Sequence, residues 1–275
     1  EGEGGGGEGF CLMDFLGAPG RVAAALGEGD VPQLFVEAEF GNRAAALDRY
    51  RKTLLWRWEV GADRILDEPH LKFDIFKKCY PHSFYGRDRE GNVVYIEQAG
   101  RVDVEGMRRH GLSLDDLLRH YMYNMEYLWG RLSPGKADRM TAVLDLEGVR
   151  LRDFAGEVAA FVKSAIGMNS THYPQRGHKV FIINAPSWFS MVYKAVKPLI
   201  PEVTRKKISI LDSRFYDEMV KVIDPDQIPQ EYGGSGAHAM ADSPFEQQYR
   251  AFVTAVAEKT GKTLEPFVPV GGGAA

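Results

Sequence analysis

Side chains able to do chemistry are concentrated at a few points of the chain. Asp145 and Glu147 close the apolar run Thr141-Ala142-Val143-Leu144, and Lys207 ends the basic triplet Arg205-Lys206-Lys207. An acid, a base and a cation of this kind could serve an α/β enzyme. No activated nucleophile accompanies them, since the sequence has no G-x-S-x-G elbow, no P-loop and no H-E-x-x-H. His172 and His178 flank the turn at Pro174 without ligand spacing and read as ordinary polar or tuning residues. Cys11 and Cys79 imply neither a metal centre nor a disulfide framework and suit a reducing compartment. The pattern favours binding over catalysis.

The elements that must position these residues alternate. Val180-Phe181-Ile182-Ile183, closed by Asn184-Ala185-Pro186, and Ile208-Ser209-Ile210-Leu211 read as two buried strands joined by a crossover. In that crossover Ser187, Ser190, Lys194 and Lys197 form one narrow polar stripe. Trp188, Phe189, Met191, Val192, Ala195, Val196, Leu199 and Ile200 cover most of the remaining surface. Such a helix has apolar neighbours on more than one side, either protein on both or protein on one and a lipid-sized cavity on the other. Upstream, residues 43–59 predict a packing helix with Ala44, Leu47, Tyr50, Leu54 and Trp58 near helical spacing, Asn42 as N-cap and Gly61 as stop. Val93-Val94-Tyr95-Ile96 and Thr141-Ala142-Val143-Leu144 read as strands. Residues 112–132 form a long helix opened by Ser113, and residues 151–168 a sheet-covering helix with Leu151, Phe154, Val158, Phe161 and Ala165 on one face. Strands separated by helices predict a largely parallel sheet with right-handed crossovers.

Composition sets wider bounds. A chain of 275 residues, 44% hydrophobic and 26% charged, can bury one large core or a core plus a small lobe. A formal net charge of −4 argues against general nucleic-acid binding. There is no apolar run of about eighteen residues and no signal peptide with a basic flank, so membrane contact is expected to be peripheral. Gly2, Gly4 and Gly7 match G-x-G-x-x-G formally, but no strand precedes them and Gly/Glu-rich low complexity explains them. Residues 1–30 and the terminal Gly-Gly-Gly-Ala-Ala read as linker or tail, and the Gly- and Glu-rich edges suggest a domain of a longer protein.

Five motifs in order carry a resemblance. Tyr173-Pro174-Gln175-Arg176, Phe181-Ile182-Ile183-Asn184-Ala185-Pro186, Lys197-Pro198, the turn Pro201-Glu202-Val203-Thr204-x-x-Lys207-Ile208 and Pro229-x-x-Tyr232-Gly233-Gly234 resemble the lipid-binding domain of Sec14-like phospholipid transfer proteins, the CRAL-TRIO family. The resemblance spans about residues 43–235 and is strongest after Tyr173. It implies an α/β fold in which a small N-terminal helical lobe precedes a mixed, largely parallel sheet. Helices over that sheet form a hydrophobic lipid pocket, with residues 187–200 as a movable gate helix. Burying roughly thirty lipid methylenes at ~0.8 kcal/mol each is worth on the order of 25 kcal/mol, so unassisted desorption from a bilayer is slow. A bilayer-like cavity makes the transfer nearly neutral and leaves selectivity to a few polar headgroup contacts.

The resemblance also implies roles residue by residue. Thr204 and Lys207 match the family's phosphate-binding Thr and Lys, a hydroxyl donor beside an ammonium. Gln175 stands where the family has glutamate after Tyr-Pro and can hydrogen-bond an inositol hydroxyl without carrying charge. Glu37 and Glu39 replace arginines of an F-L-R-A-R stretch, so that part of the phosphate site is lost or rebuilt. Tyr85 and Tyr95 match two tyrosines associated with a choline headgroup. Met125 takes the place of a third, Met140 and Ala142 replace small hydroxyl residues, and only the register-shifted Thr141 offers a hydroxyl. Tyr95 reads equally well as a core strand tyrosine. Within the basic triplet Lys207 is expected inward and Arg205 or Lys206 outward, where a cation attracts anionic lipid by ~1 kcal/mol.

The resulting expectation is a non-enzymatic, cytoplasmic, monomeric lipid-binding protein. Residues 1–30 are linker, 31–80 the helical lobe, 81–240 the lipid-binding domain and 241–275 a C-terminal helix and flexible tail. It needs no cofactor or metal beyond a bound phospholipid or other hydrophobic ligand, contacts membranes peripherally and binds no nucleic acid. It transfers or presents a phospholipid, phosphatidylinositol or a phosphoinositide before phosphatidylcholine. The alternatives are a carrier of tocopherol, retinoid or sterol type and a lipid-sensing scaffold module that does not transfer.

Overall fold

Asn42 and Gly61 delimit the longest helix near the N-terminus, as their types predict. In the computed structural model, which describes residues 25–269, the short helix α1 (Gln33–Ala38) is followed by α2 (Arg43–Val60). The Asn42 side chain accepts from the Ala45 N–H at 3.1 Å, and Gly61 ends α2 with φ of 68°, a conformation that disfavours a Cβ. Val31, Phe35, Val36 and Ala46 make the small core of this unit, with Leu47 and Tyr50 against it. The stripe expected on α2 is only partly the buried one. Ala46 and Thr53 are its buried residues, whereas Trp58 is 56% exposed. The Gly2/Gly4/Gly7 stretch, Cys11 and the C-terminal Gly-Gly-Gly-Ala-Ala lie outside the described residues.

One compact unit ends at Asp63 and the second begins at Arg64. The second unit opens with α3 (Phe73–Cys79) and the strands β1 (His82–Arg87) and β2 (Val93–Gln98). Helices α4 (Val104–Arg109) and α5 (Leu114–Tyr127) follow, the latter widening into a π turn at Leu128–Leu132. Ser113 and Asp116 form a reciprocal capping box at the start of α5. Then come β3 (Met140–Asp145), α6 (Gly156–His172), β4 (Gly177–Ile183), α7 (Phe189–Val196), α8 (Glu202–Arg205) and β5 (Ile208–Ile210). Helices α9 (Tyr216–Met219) and α10 (Pro244–Lys259) complete it.

The sheet runs β1-β2-β3-β4-β5, with β1 antiparallel to β2 and the other pairs parallel. In the β1–β2 hairpin Asp88 Oδ1 accepts from the N–H groups of Glu90 and Asn92, while Gly91 takes φ of 86°.

Side-chain alternation gives the sheet two unlike faces. Val94, Ile96, Val143, Phe181 and Ile183 point one way and are sealed by Phe215, Met219, Ile223, Ile228 and Tyr232 from the segment after β5. The Pro229 to Gly234 motif builds this seal. Gly233 has φ of 84°, and a Cβ on Gly234 would lie 2.1 Å from the Ile228 carbonyl oxygen. The other face carries Tyr95, Glu97, Ala142, Leu144, Val180, Ile182 and Ile208 in register. The outer edge of β1 is closed by the last helix: the Phe84 N–H donates to Glu246 Oε1 at 2.7 Å and Ser243 Oγ donates to the Phe84 carbonyl at 2.6 Å.

Candidate functional site

On the second face the burial pattern departs from that of a closed core. Tyr95 and Ala142 are 1% and 6% exposed, yet Glu97, Leu144 and Val180 retain accessible surface in the middle of the sheet. Flanking α6 buries Met168 alone; its Val158, Phe161, Val162, Ala165 and Ile166 stay half-buried although the helix is largely apolar. From α7, Phe189 packs on Ile182 and Leu146, with Trp188, Val192 and Tyr193 partly buried beside it. Accessible apolar surface at a sheet centre, below apolar helices that do not fill it, is what an open hydrophobic cavity leaves.

Residues 187–200 are not one helix. α7 spans eight residues, and a separate 3₁₀ turn, Lys197–Leu199, follows it. Pro198 is the reason, because it has no N–H to carry the α-helical hydrogen bonds onward. The polar stripe is where spacing puts it, with Ser187, Ser190, Lys194 and Lys197 all exposed. Among the apolar positions Phe189 is buried. Trp188, Val192, Val196 and Ile200 are half-buried, while Met191 (60%), Ala195 and Leu199 are exposed. The exposed set lies apart from the packed set and leaves this element with apolar surface turned outward. A groove of about 480 Å³ between α7 and the end of β5 has Phe189, Tyr193 and Ile210 in its lining and Lys194, Lys197 and Asp212 beside them.

Lys207, Gln175 and Thr204 come together at the N-terminal ends of β4 and β5. The Lys207 ammonium donates to Gln175 Oε1 at 3.2 Å and to the Gly177 carbonyl at 2.7 Å, both neutral oxygens. Gln175 is held at φ of 59° and its own carbonyl accepts from Arg139 Nε at 3.1 Å. Thr204 is half-buried one turn before Lys207, whose N–H donates to the Thr204 carbonyl. Lys206 points elsewhere: it is exposed and paired with Glu202 at 3.0 Å. The Arg205 Nε is buried with no hydrogen-bond partner among the described residues.

The two tyrosines do not share a site. Tyr85 sits at a β-bulge and packs with Val94, Ile96 and Phe181 on the sealed face, donating its hydroxyl to the His238 carbonyl at 2.8 Å. Phe84 is the residue that opposes Tyr95, so strand alternation puts Tyr85 on the other face. Tyr95 keeps its inward position, its hydroxyl 3.5 Å from that of Tyr80 and 3.4 Å from Glu97 Oε2. Met140 and Ala142 share the face of Tyr95. Thr141 lies on the other face, where its hydroxyl donates to Asp88 Oδ2 at 2.7 Å, and Met125 is fully buried. Sequence reading overlooked Glu97. Strand alternation places it two residues from Tyr95 on the same face; burial pushes its carboxyl up, against hydrogen bonds from Tyr80 and Tyr95.

Asp145 and Glu147 do not meet Lys207. Asp145, at the C-terminal end of β3, accepts from Asn184 Nδ2 and the Glu147 N–H through Oδ1 and from the Tyr232 hydroxyl through Oδ2. Lys207 precedes β5 at the opposite end of the parallel strands. Asp145 therefore ties strand ends to the sealing segment.

A mixed sheet with one sealed face, one incompletely filled apolar face and a polar cluster at its edge defines an α/β hydrophobic-ligand-binding class. The CRAL/TRIO domain family model matches residues 77–234, and the chain belongs to that family. It is 29% identical over 209 residues to the phosphatidylinositol/phosphatidylcholine transfer protein SFH12 of Arabidopsis thaliana, covering 73% of this chain and 38% of the relative. It is 29% identical over 208 residues to the SEC14 cytosolic factor of Eremothecium gossypii, covering 73% and 67%. The chain thus spans well under half the length of the plant relatives it matches, 31–38% for three of them. The solved structure of Sfh5 shares the fold, with a TM-score of 0.64 and 18% identity over 80% of this chain and 78% of that one.

Proposed function

We propose that the chain holds one phospholipid on the unsealed face of its sheet and exchanges it at a membrane surface, as a peripherally bound cytoplasmic carrier rather than an enzyme. Its acyl chains lie against Leu144, Val180, Ile182 and the α7 side chains Phe189 and Val192. Thr204, Lys207 and Gln175 receive the phosphate and inositol of phosphatidylinositol or a phosphoinositide. The observation that carries the reading is the ammonium of Lys207 brought onto Gln175 beside Thr204 at the edge of an apolar face. A phosphate there gains charge-assisted hydrogen bonds while the chains leave water. Phosphatidylcholine is the poorer cargo, because Tyr85 faces away and Met140, Ala142 and Met125 supply no hydroxyl. Glu97 gives one observation in favour of a hydroxyl-bearing neutral lipid, since its carboxyl lies on the same face.

Native mass spectrometry of the protein purified from a eukaryotic host tests the reading. One bound phosphatidylinositol or phosphoinositide per chain is expected. A sterol, tocopherol or retinoid as the dominant mass would replace this reading with that of a neutral-lipid carrier.

A further inference from the structure

The unsealed sheet face carries a second polar focus, at the end opposite Lys207. Glu97 is level with Leu144, Ile182 and Ile210 across the parallel strands, whereas Lys207 precedes β5. Three strand spacings and three residues separate the two side chains, roughly 17 Å by strand geometry, so one headgroup does not engage both.

Aromatic side chains surround Glu97. Its Oε2 accepts from the Tyr95 hydroxyl at 3.4 Å, and the Tyr80 hydroxyl lies 3.5 Å from that of Tyr95. Phe161 of α6 stands edge-on to Tyr80 and Tyr121, at ring-centre distances of 6.4 and 6.3 Å. On the neighbouring strands Glu97 faces His82 and Leu144. His82 is neutral, since its Nδ1 donates to the Tyr80 carbonyl at 2.7 Å and burial holds its pKa well below 6.5. Among the described residues no cation pairs with Glu97. Its charge instead raises the Tyr80, Tyr95 and Tyr121 phenols, second only to burial itself.

The carboxylate is within reach of a ligand. Among the described residues the enclosed polar side-chain atoms left unpaired are Arg51 Nε, the Tyr123 hydroxyl, Trp129 Nε1 and Arg205 Nε. Glu97 Oε1 also lacks a partner but is not one of them, so this oxygen keeps accessible surface, in keeping with the half-buried state of the residue. An ionised carboxyl in an apolar cavity without a cation is costly, and a cationic ligand supplies the missing interaction.

We propose that Glu97 receives the head of a long-chain primary amine, sphingoid base in type, as a second cargo of the unsealed face. The inference rests on that face being the lipid cavity. The ammonium donates to Glu97 Oε1, and the alkyl chain runs over Leu144 and Ile182. A phosphate beside the amine, as in a phosphatidyl headgroup, meets a carboxylate and no cation here. A quaternary ammonium has no N–H to give to Oε1. The class selected is therefore an amine without phosphate.

Calorimetry on the whole chain at neutral pH compares three ligands with the same alkyl chain, oleylamine, oleyl alcohol and oleate, with phosphatidylinositol in parallel. Oleylamine is expected to bind at a single site, roughly 10- to 150-fold more tightly than oleyl alcohol, with oleate the weakest. The preference should persist at high salt, because a pair inside the cavity is screened less than surface charge. Glu97→Gln keeps an oxygen for Tyr95 and removes the charge, so oleylamine and oleyl alcohol should then bind alike. If that variant does not fold, the comparison of heads in the unaltered chain and its salt response decide. Oleyl alcohol binding as tightly as oleylamine, an amine preference that fades with salt, or one that survives in Glu97→Gln would overturn the proposal. Phosphatidylinositol binding with no amine preference would refute the amine site alone, and failure of all four ligands would refute the lipid cavity with it.

Discussion

Lys207 differs from its two basic neighbours in what it faces. Lys206 is solvated and salt-bridged to Glu202, whereas Lys207 is turned onto the Gln175 amide and a backbone carbonyl. If its ammonium meets a headgroup phosphate, Lys207→Ala loses ~1.5 to 3 kcal/mol of phosphoinositide affinity, roughly 10- to 150-fold, and the loss resists salt. Lys206→Ala loses little, and that loss fades as salt screens exposed charge. Lipid competition at low and high salt reads the difference; equal, salt-sensitive losses in both variants would move the triplet to the membrane-facing surface. The histidines make a separate residue-scale claim. Burial drives His82 and His120 well below the ordinary 6.5 and His70 to about 4, and Lys77 and Arg119 add to the effect. The unfolded chain therefore binds more protons than the folded one between about 4 and 6.5, and stability falls as pH drops through that window. From pH 7.5 to 5.5 the urea unfolding free energy should fall by ~1 kcal/mol per histidine. Glu97, raised from 4.5, acts in the opposite sense, since its folded form gains protons first. A flat profile would contradict neutral burial of the three rings.

Among the elements, α10 stabilises the sheet through one polar clasp. Glu246, 4% exposed, holds the Lys77 ammonium at 2.6 Å through Oε2 and the Phe84 N–H through Oε1. Burial lowers the Lys77 pKa and Glu246 opposes that shift. Glu246→Gln keeps an oxygen for Phe84 but strands a buried cation, and should cost about 3 kcal/mol in urea unfolding at unchanged m-value. A loss under about 1 kcal/mol would mean that water reaches Lys77. Neither partner was apparent in the sequence, because Lys77 and Glu246 meet only when β1 is laid against a helix far along the chain. What sequence did disclose is local. The strand runs at Val93, Thr141, Val180 and Ile208, the Ser113 cap and the stripe from Ser187 to Lys197 follow from period and end chemistry, and each is present. The Lys207–Gln175 approach followed from motif order. Other features depended on tertiary geometry: the register that pairs Phe84 rather than Tyr85 with Tyr95, the break that Pro198 puts after α7, and the commitment of Thr141 and Asp145 to structural hydrogen bonds.

At the scale of the whole molecule, the sheet divides labour between its faces. The sealed one holds the fold together, with Phe181, Ile183, Met219 and Ile228 almost wholly buried. The other leaves Leu144 and Val180 accessible under α7, the element that also turns Met191 outward. Among the described residues no helix is long and apolar enough to cross a membrane. In the proposed function the lipid lies between α7 and the sheet, and α7 moves to admit it. Its most direct test is protein-dependent movement of labelled phosphatidylinositol between vesicles, measured for the wild-type chain and for Val192→Asp with folding checked by circular dichroism. Transfer by the wild type is expected, with slower transfer of phosphatidylcholine and a loss of roughly tenfold or more in the variant, where a charge is set among Phe189, Ile182 and the acyl chains. Undiminished transfer by a folded Val192→Asp protein, or no wild-type transfer at all, would contradict it.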